Sequence, residues 1–226
     1  MNPVQPKIKP FVAGEMMSWE EFEERWNAHP EIKFAELIAG KVYMPLPVGP
    51  THGSHEVKLA FLLQLYANNT PGCDAISNTT CRVDDDALQP DVSLRILESY
   101  GGRSVAKQSY VVGVPEFVME VCVSSAAYDL HEKKEVYRKA GVVEFVAVLP
   151  RDSKIRWHQL EGDAYTLIRP KDGIFKSVVF PGLWMDSEAI LNCDMARASE
   201  ILNAGLASEE HKTFVAKLSK KHKELK

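Results

Sequence analysis

Two nearly continuous apolar runs, Glu116 to Val123 and Val143 to Leu149, constrain the fold of this chain more than any other feature. A strand with one wet face alternates apolar and polar residues, so unbroken runs of this length suit strands buried on both faces. Residues 126–140 between them read as a helix that ends at Gly141, a residue that enters the left-handed conformation of a helix end at little cost. Strand, helix and strand in that order fit a right-handed crossover within a mixed sheet. Upstream, Ser18 with Glu21 predicts a capping box for a helix striped by Trp19, Phe22 and Trp26, closed by His29-Pro30. Ile32 to Ile38 and Lys41 to Met44 read as a hairpin joined at Ala39-Gly40, and Pro45, Pro47 and Pro50 as a stiff loop. A helix over 51–67 is expected to bury Val57, Leu59, Ala60, Leu62, Leu63 and Tyr66. Strands follow at 74–78, 80–83 and 91–97, with Asp84-Asp85-Asp86 as a turn, then a hairpin over 155–168, a strand over 175–180, and helices over 186–204 and 209–225. The class is α/β or α+β: a central mixed β-sheet flanked by helices, with added β-hairpins and a helical C-terminus.

The chain has 226 residues, a length that suits one domain. Lysine and arginine total 27 against 31 acidic residues, a net charge of -4, which excludes a surface that is basic all over. A local basic cleft stays open, because a net charge is only a sum. No apolar run reaches the ~18–20 residues of a membrane span, and the proline- and lysine-bearing start does not read as a secretory signal. Cys73, Cys81, Cys122 and Cys193 lack metal-ligand spacing and read as free thiols of a reducing cytoplasm. The phosphate-cradling glycine loops and the G-x-S-x-G elbow are absent.

The candidate chemistry starts at Glu120, set among Phe117-Val118-Met119 and Val121-Cys122-Val123. A carboxylate buried without a partner costs several kcal/mol, so this residue should be paired, protonated or bound to a metal. Asp91, in Gln89-Pro90-Asp91, stands where a turn enters a strand. Pro-Asp is ordinary turn chemistry, yet carboxylates on adjacent strands are also what a hard divalent cation needs. On the helix after Glu120, Asp129, Lys133 and Tyr137 recur at four-residue spacing and share a face. That face is either a solvated ion-pair face or a lysine aimed at a phosphate or an attacking water. His52 and His55 near a helix start have no third histidine or cysteine at matching spacing, which favours exposed or capping roles over metal ligation. Trp157 and His158 suit ordinary packing better than stacking on a base, and the lysine-rich end suits a solvated face better than a docking one.

These residues, in this order, resemble the Uma2 (DUF820) family. The resemblance rests on Met17-Ser18-Trp19-Glu20-Glu21-Phe22, Glu36-Leu37-Ile38-Ala39-Gly40, His52-Gly53, Gln89-Pro90-Asp91, Val118-Met119-Glu120-Val121 with Ser124-Ser125, Asp129 to Lys133, Tyr137, and Ala140 to Phe145. It spans about residues 16–190, leaving 1–15 as an irregular lead-in and 191–226 as a helical extension. The family is a bacterial group of predicted endonucleases with the PD-(D/E)xK restriction-endonuclease-like core. The resemblance implies that Asp91 is the aspartate of the PD motif and Glu120 the second acid. Cys122 occupies the usual lysine position, and Lys133 matches a lysine moved to the following helix. Glu36, His52, Gln89, Asp129 and Tyr137 match supporting positions. Ala39, Val143 and Phe145-Val146 depart from the family pattern.

The function so implied is hydrolysis of nucleic-acid phosphodiester bonds, with Asp91, Glu120 and the Val121 carbonyl holding Mg2+ or Mn2+, and Lys133 near the attacking water. The implied partner is nucleic acid, DNA first, and a homodimer would make a two-stranded cut most simply. Two other readings stay open: a binding or regulatory protein on a nuclease-derived scaffold, and a structural protein whose acids form internal salt bridges.

Overall fold

A computed structural model describes residues 8–44, 47–123 and 127–226, with 127–131 described by backbone alone. Pro45, Ser124-Ser125 and the Asp129 side chain, all named above, lie outside the described residues. In chain order come α1 (Trp19–Ala28), β1 (Glu36–Ile38), β2 (Lys41–Tyr43), α2 (Pro50–Asn68), β3 (Cys73–Ser77), β4 (Cys81–Val83), β5 (Asp86–Leu88), β6 (Val92–Ile96), β7 (Val105–Ala106) and β8 (Val111–Val112). There follow β9 (Phe117–Val121), α3 (Ala127–Ala140), β10 (Glu144–Leu149), β11 (Lys154–Glu161), β12 (Ala164–Ile168), β13 (Ile174–Lys176), β14 (Trp184–Asp186), α4 (Ser187–Leu191), α5 (Met195–Leu206) and α6 (Glu209–Glu224).

The central sheet has the order β12-β11-β10-β9-β6-β3. Within it β9 and β10 are parallel, joined through α3 as their apolar runs require, and the other pairs are antiparallel. All residues of β9 and β10 are buried, so the unbroken apolar runs have both faces covered. The pleat sorts their side chains between two cores. Phe117, Met119, Val121, Val146 and Val148 join α2's Leu59, Leu62, Leu63 and Tyr66 on one face, while Val118, Phe145, Ala147 and Leu149 join α3's Tyr137 on the other. α5 adds Ala198 and Leu202 to the first core. A second sheet, β2-β1-β5-β4-β8-β7, and a two-stranded β13-β14 complete the architecture. Among the described residues no helix is long and apolar enough to cross a membrane.

Several local expectations meet a different outcome. Ser18 caps α1, accepting from Glu21 N–H at 3.3 Å, but the Glu21 carboxylate turns to Arg25. Val57 is 64% exposed, because a residue two positions from Leu59 lies on nearly the opposite side of the helix. Asp86 belongs to a strand, its Oδ1 accepting from Ala39 N–H at 2.7 Å, so the acidic turn is shorter than expected. The strand expected over 175–180 stops at Lys176, where Ser177 Oγ donates to Glu144 at 2.5 Å and accepts from Phe180 N–H. The single helix expected over 186–204 is two helices: Cys193 takes φ 58°, and Asp194 caps α5 by accepting from Arg197 N–H at 3.1 Å.

Candidate metal centre

The site grows out of strand register. β6 and β9 pair with Val92 opposite Met119, so one step further along the two strands Asp91 comes opposite Glu120. Glu120 falls on the α3 side of the sheet, and Val121 N–H donates to Asp91 Oδ2 at 2.7 Å. Lys133 and Tyr137, one helical turn apart on α3, both reach Glu120: Lys133 Nζ lies 3.3 Å from Oε1 and Tyr137 OH donates to the same oxygen at 2.8 Å. The hairpin contributes Glu36, whose Oε2 is 3.1 Å from Lys133 Nζ and whose Oε1 accepts from Gln89 N–H at 2.8 Å. The Gln89 amide donates in turn to Thr80 Oγ1 at 2.9 Å, fixing the turn that presents Asp91.

From the other direction, the first turns of α2 bring His52, whose Nε2 is 3.1 Å from Asp91 Oδ2. Its Nδ1 lies 3.6 Å from Glu56, and Glu56 also accepts from the Asn78 amide. The imidazole is therefore neither exposed nor a helix cap; it sits between two carboxylates. Glu56 escapes the sequence reading, although its i,i+4 spacing from His52 is visible there. His55 points elsewhere: it is buried, donates through Nδ1 to Thr51 O at 2.8 Å, and faces Leu191 O and Cys193 Sγ through Nε2.

Electrostatically the cleft is rich in negative charge. Burial raises the Glu120 carboxyl well above the ordinary carboxylate range; Lys133 opposes that rise, and Asp91 and Glu36 add to it. Burial works to lower the Lys133 ammonium, but Glu120, Glu36 and Asp91 outweigh it and hold it charged. The hydrogen bond to Asp91 is the main influence raising the His52 imidazole, against burial. Four carboxylates, Glu36, Glu56, Asp91 and Glu120, thus face one ammonium and one imidazole within ion-pair distance, among the described residues. Even with Glu120 protonated, a phosphodiester in this cleft faces three carboxylates, and an added cation would offset their charge. The oxygen-rich donor set and that charge deficit both fit a divalent cation.

The structure thus brings together Glu36, His52, Gln89, Asp91, Glu120, Lys133 and Tyr137. Cys122, at the usual lysine position, is half-buried. Trp157 is buried and stacked on Phe175 with ring centroids 5.2 Å apart, which is a packing role. The lysine-rich α6 packs on residues 98–100, where Tyr100 stacks on His222 at 4.2 Å. That segment follows β6 whereas Asp91 precedes it, so α6 and the cleft lie at opposite ends of that strand.

A comparison with curated proteins finds no match. Among solved structures, the chain is similar to one from Anabaena variabilis ATCC 29413 titled "a putative nuclease belonging to DUF820". The two are 15% identical and superpose with a TM-score of 0.57, covering 89% of this chain and 99% of that one, so they share a fold. The profile of the Uma2 family, described as "Putative restriction endonuclease", matches residues 19–190, well over half of the sequence. The chain therefore belongs to the Uma2 family.

Proposed function

We propose that this protein is a metal-dependent endonuclease that hydrolyses phosphodiester bonds in nucleic acid, DNA first, in the bacterial cytoplasm. The observation that carries the reading is the meeting of Asp91 and Glu120 across β6 and β9 with an ammonium, Lys133, 3.3 Å from Glu120. A half-buried lysine shared by two buried carboxylates is an awkward way to stabilise a fold, since desolvating such groups offsets much of their attraction. It is a useful way to hold a cation next to a reacting phosphate.

Asp91, Glu120 and the Val121 carbonyl would hold Mg2+ or Mn2+. The chemistry that such an ion supplies when bound is polarisation of the phosphoryl oxygen and a more acidic water. The chain's own groups do the rest. Tyr137 fixes one Glu120 oxygen by donating to it, which orients the carboxylate. Val121 N–H does the same for Asp91. Lys133 offsets charge that develops on the phosphate and can hold an attacking water through Nζ–H. Glu36 also holds Lys133, at 3.1 Å, and is itself locked by Gln89 N–H. Asp129, on the same helix, is a further supporting position. A homodimer related by a two-fold axis would present one such cleft to each strand of a duplex.

The test is cleavage of plasmid DNA and of single-stranded DNA and RNA in Mg2+ or Mn2+ by the wild type and Glu120→Gln. Glu120→Gln is expected to lose cleavage while retaining its circular-dichroism spectrum. Undiminished cleavage by that variant overturns the assignment.

A further inference from the structure

We infer that His52, Glu56 and Asp91 form a mixed nitrogen–oxygen cation position that favours a divalent transition ion over Mg2+ or Ca2+. The inference deepens the nuclease reading and shares its Asp91, but it concerns two residues of α2 to which that reading gives no metal role.

One ligand atom from each of the three residues lies within 4.8 Å of the other two. Ligands around one ion at about 2.0–2.2 Å are at most about 4.4 Å apart, so a small side-chain rotation closes the set. The ring is already held for such a role. Its Nε2 touches Asp91 Oδ2 at 3.1 Å, and its Nδ1 is fully buried, faces Glu56 at 3.6 Å and has no hydrogen-bond partner. A buried ring nitrogen left without a hydrogen bond, with a carboxylate just beyond reach, is costly in a purely structural cluster. The spacing is built into the fold, since His52 and Glu56 are one helical turn apart on α2 and the β6–β9 register fixes Asp91. Asn78 holds the second Glu56 oxygen, leaving the first free to turn inward.

The donor types set the selectivity. Mg2+ and Ca2+ take oxygen ligands almost exclusively, whereas imidazole suits the borderline first-row ions, whose affinities rise from Mn2+ towards Zn2+. An imidazole ligand on the shared aspartate therefore gives this protein a preference that an all-carboxylate pair would lack.

Pulsed electron paramagnetic resonance of the full chain loaded with Mn2+ alone tests this directly, because a coordinated imidazole nitrogen modulates the Mn2+ echo. Wild type and Glu120→Gln are both expected to show nitrogen modulation, and His52→Ala to lose it. Calorimetry should show Mn2+ affinity falling about tenfold or more in His52→Ala and in Glu56→Gln, the scale on which metal-site substitutions act. Mg2+ affinity of His52→Ala should stay within about threefold on the same scale. Nitrogen modulation absent from the wild type, or persisting in His52→Ala, overturns the inference, and so does an equal loss of Mn2+ and Mg2+ affinity. Because the signal is read without substrate and in Glu120→Gln as well, failure here is separable from a failure to cleave nucleic acid.

Discussion

Replacing Lys133 with methionine keeps most of the apolar stem of the side chain and removes the ammonium with its charge and donors. In the wild type the ammonium lies 3.1 Å from Glu36 and 3.3 Å from Glu120, with all three side chains at least four-fifths or nearly so out of solvent. Breaking a buried ion pair by removing one partner costs ~3–5 kcal/mol, and the partial exposure of Lys133 argues for the lower end, about 3 kcal/mol. For a chain of this size that corresponds to a Tm lowered by roughly 6–12 °C. The loss should depend on pH in a defined direction. Burial already raises Glu120, and the variant removes the main influence that opposes the rise. Between the ordinary value of 4.5 and the raised one, the folded state binds a proton that the unfolded state does not. Stability therefore falls as pH rises through that window, by at most about 1.4 kcal/mol per pH unit for one proton, and the window reaches to higher pH in the variant, so its deficit grows above the wild type's raised value. Thermal denaturation from pH 5 to pH 10 in metal-free buffer measures this. Lys133→Met/Glu120→Gln should regain much of the loss, since the amide carries no charge to strand. An unchanged Tm, a deficit independent of pH, or a double variant no more stable than the single one would each refute the reasoning.

Tyr137→Phe removes the hydroxyl that donates to Glu120 in a fully buried setting, and a stability loss of about 1–3 kcal/mol by denaturant unfolding is expected. Gly205→Ala should destabilise by more than ~2 kcal/mol despite alanine's better helix propensity, because an added Cβ would lie 2.2 Å from Gly182 O; circular dichroism on heating checks it. Val57→Gln, on the exposed face of α2, should change stability by less than about 0.5 kcal/mol in the same assay.

Much of the fold is legible in the sequence because its strongest signals are local. The two apolar runs have no soluble solution other than burial on both faces, and Gly141, at φ 80°, terminates α3 where its backbone freedom is needed. What escapes the sequence is held by distant partners. β5, β7 and β8 have two or three residues each, too few for a period to show, and they exist because neighbouring strands supply their hydrogen bonds. The break between α4 and α5 hides behind helix-compatible residues, since Asn192-Cys193-Asp194 reads equally well as helix interior or as a turn with a cap.

At the candidate centre, Glu120 is conspicuous because charge in apolar company needs a reason, whereas Asp91 and Lys133, in an ordinary turn and on a polar helix face, stand out only through the ordered set of motifs. The role of His52 is less conspicuous, for a physical cause: its carboxylate partners come from its own next turn and from the turn before β6, about forty residues on, and neither gives the histidine–cysteine spacing that marks a metal site. The departure at Ala39 also becomes intelligible. The residue takes φ 51° in the hairpin turn, and Asp86 from β5 accepts its N–H, so an aspartate from another strand binds the turn's backbone.

The central claim is that Asp91 and Glu120 mark a metal centre. A calorimetric titration of Mn2+ into the wild type beside Asp91→Asn tests it most directly and needs no knowledge of the substrate. The account predicts binding heat in the wild type that disappears in Asp91→Asn, because every proposed ligand set includes that carboxylate. Equal binding by both proteins would place the ligands elsewhere and contradict it.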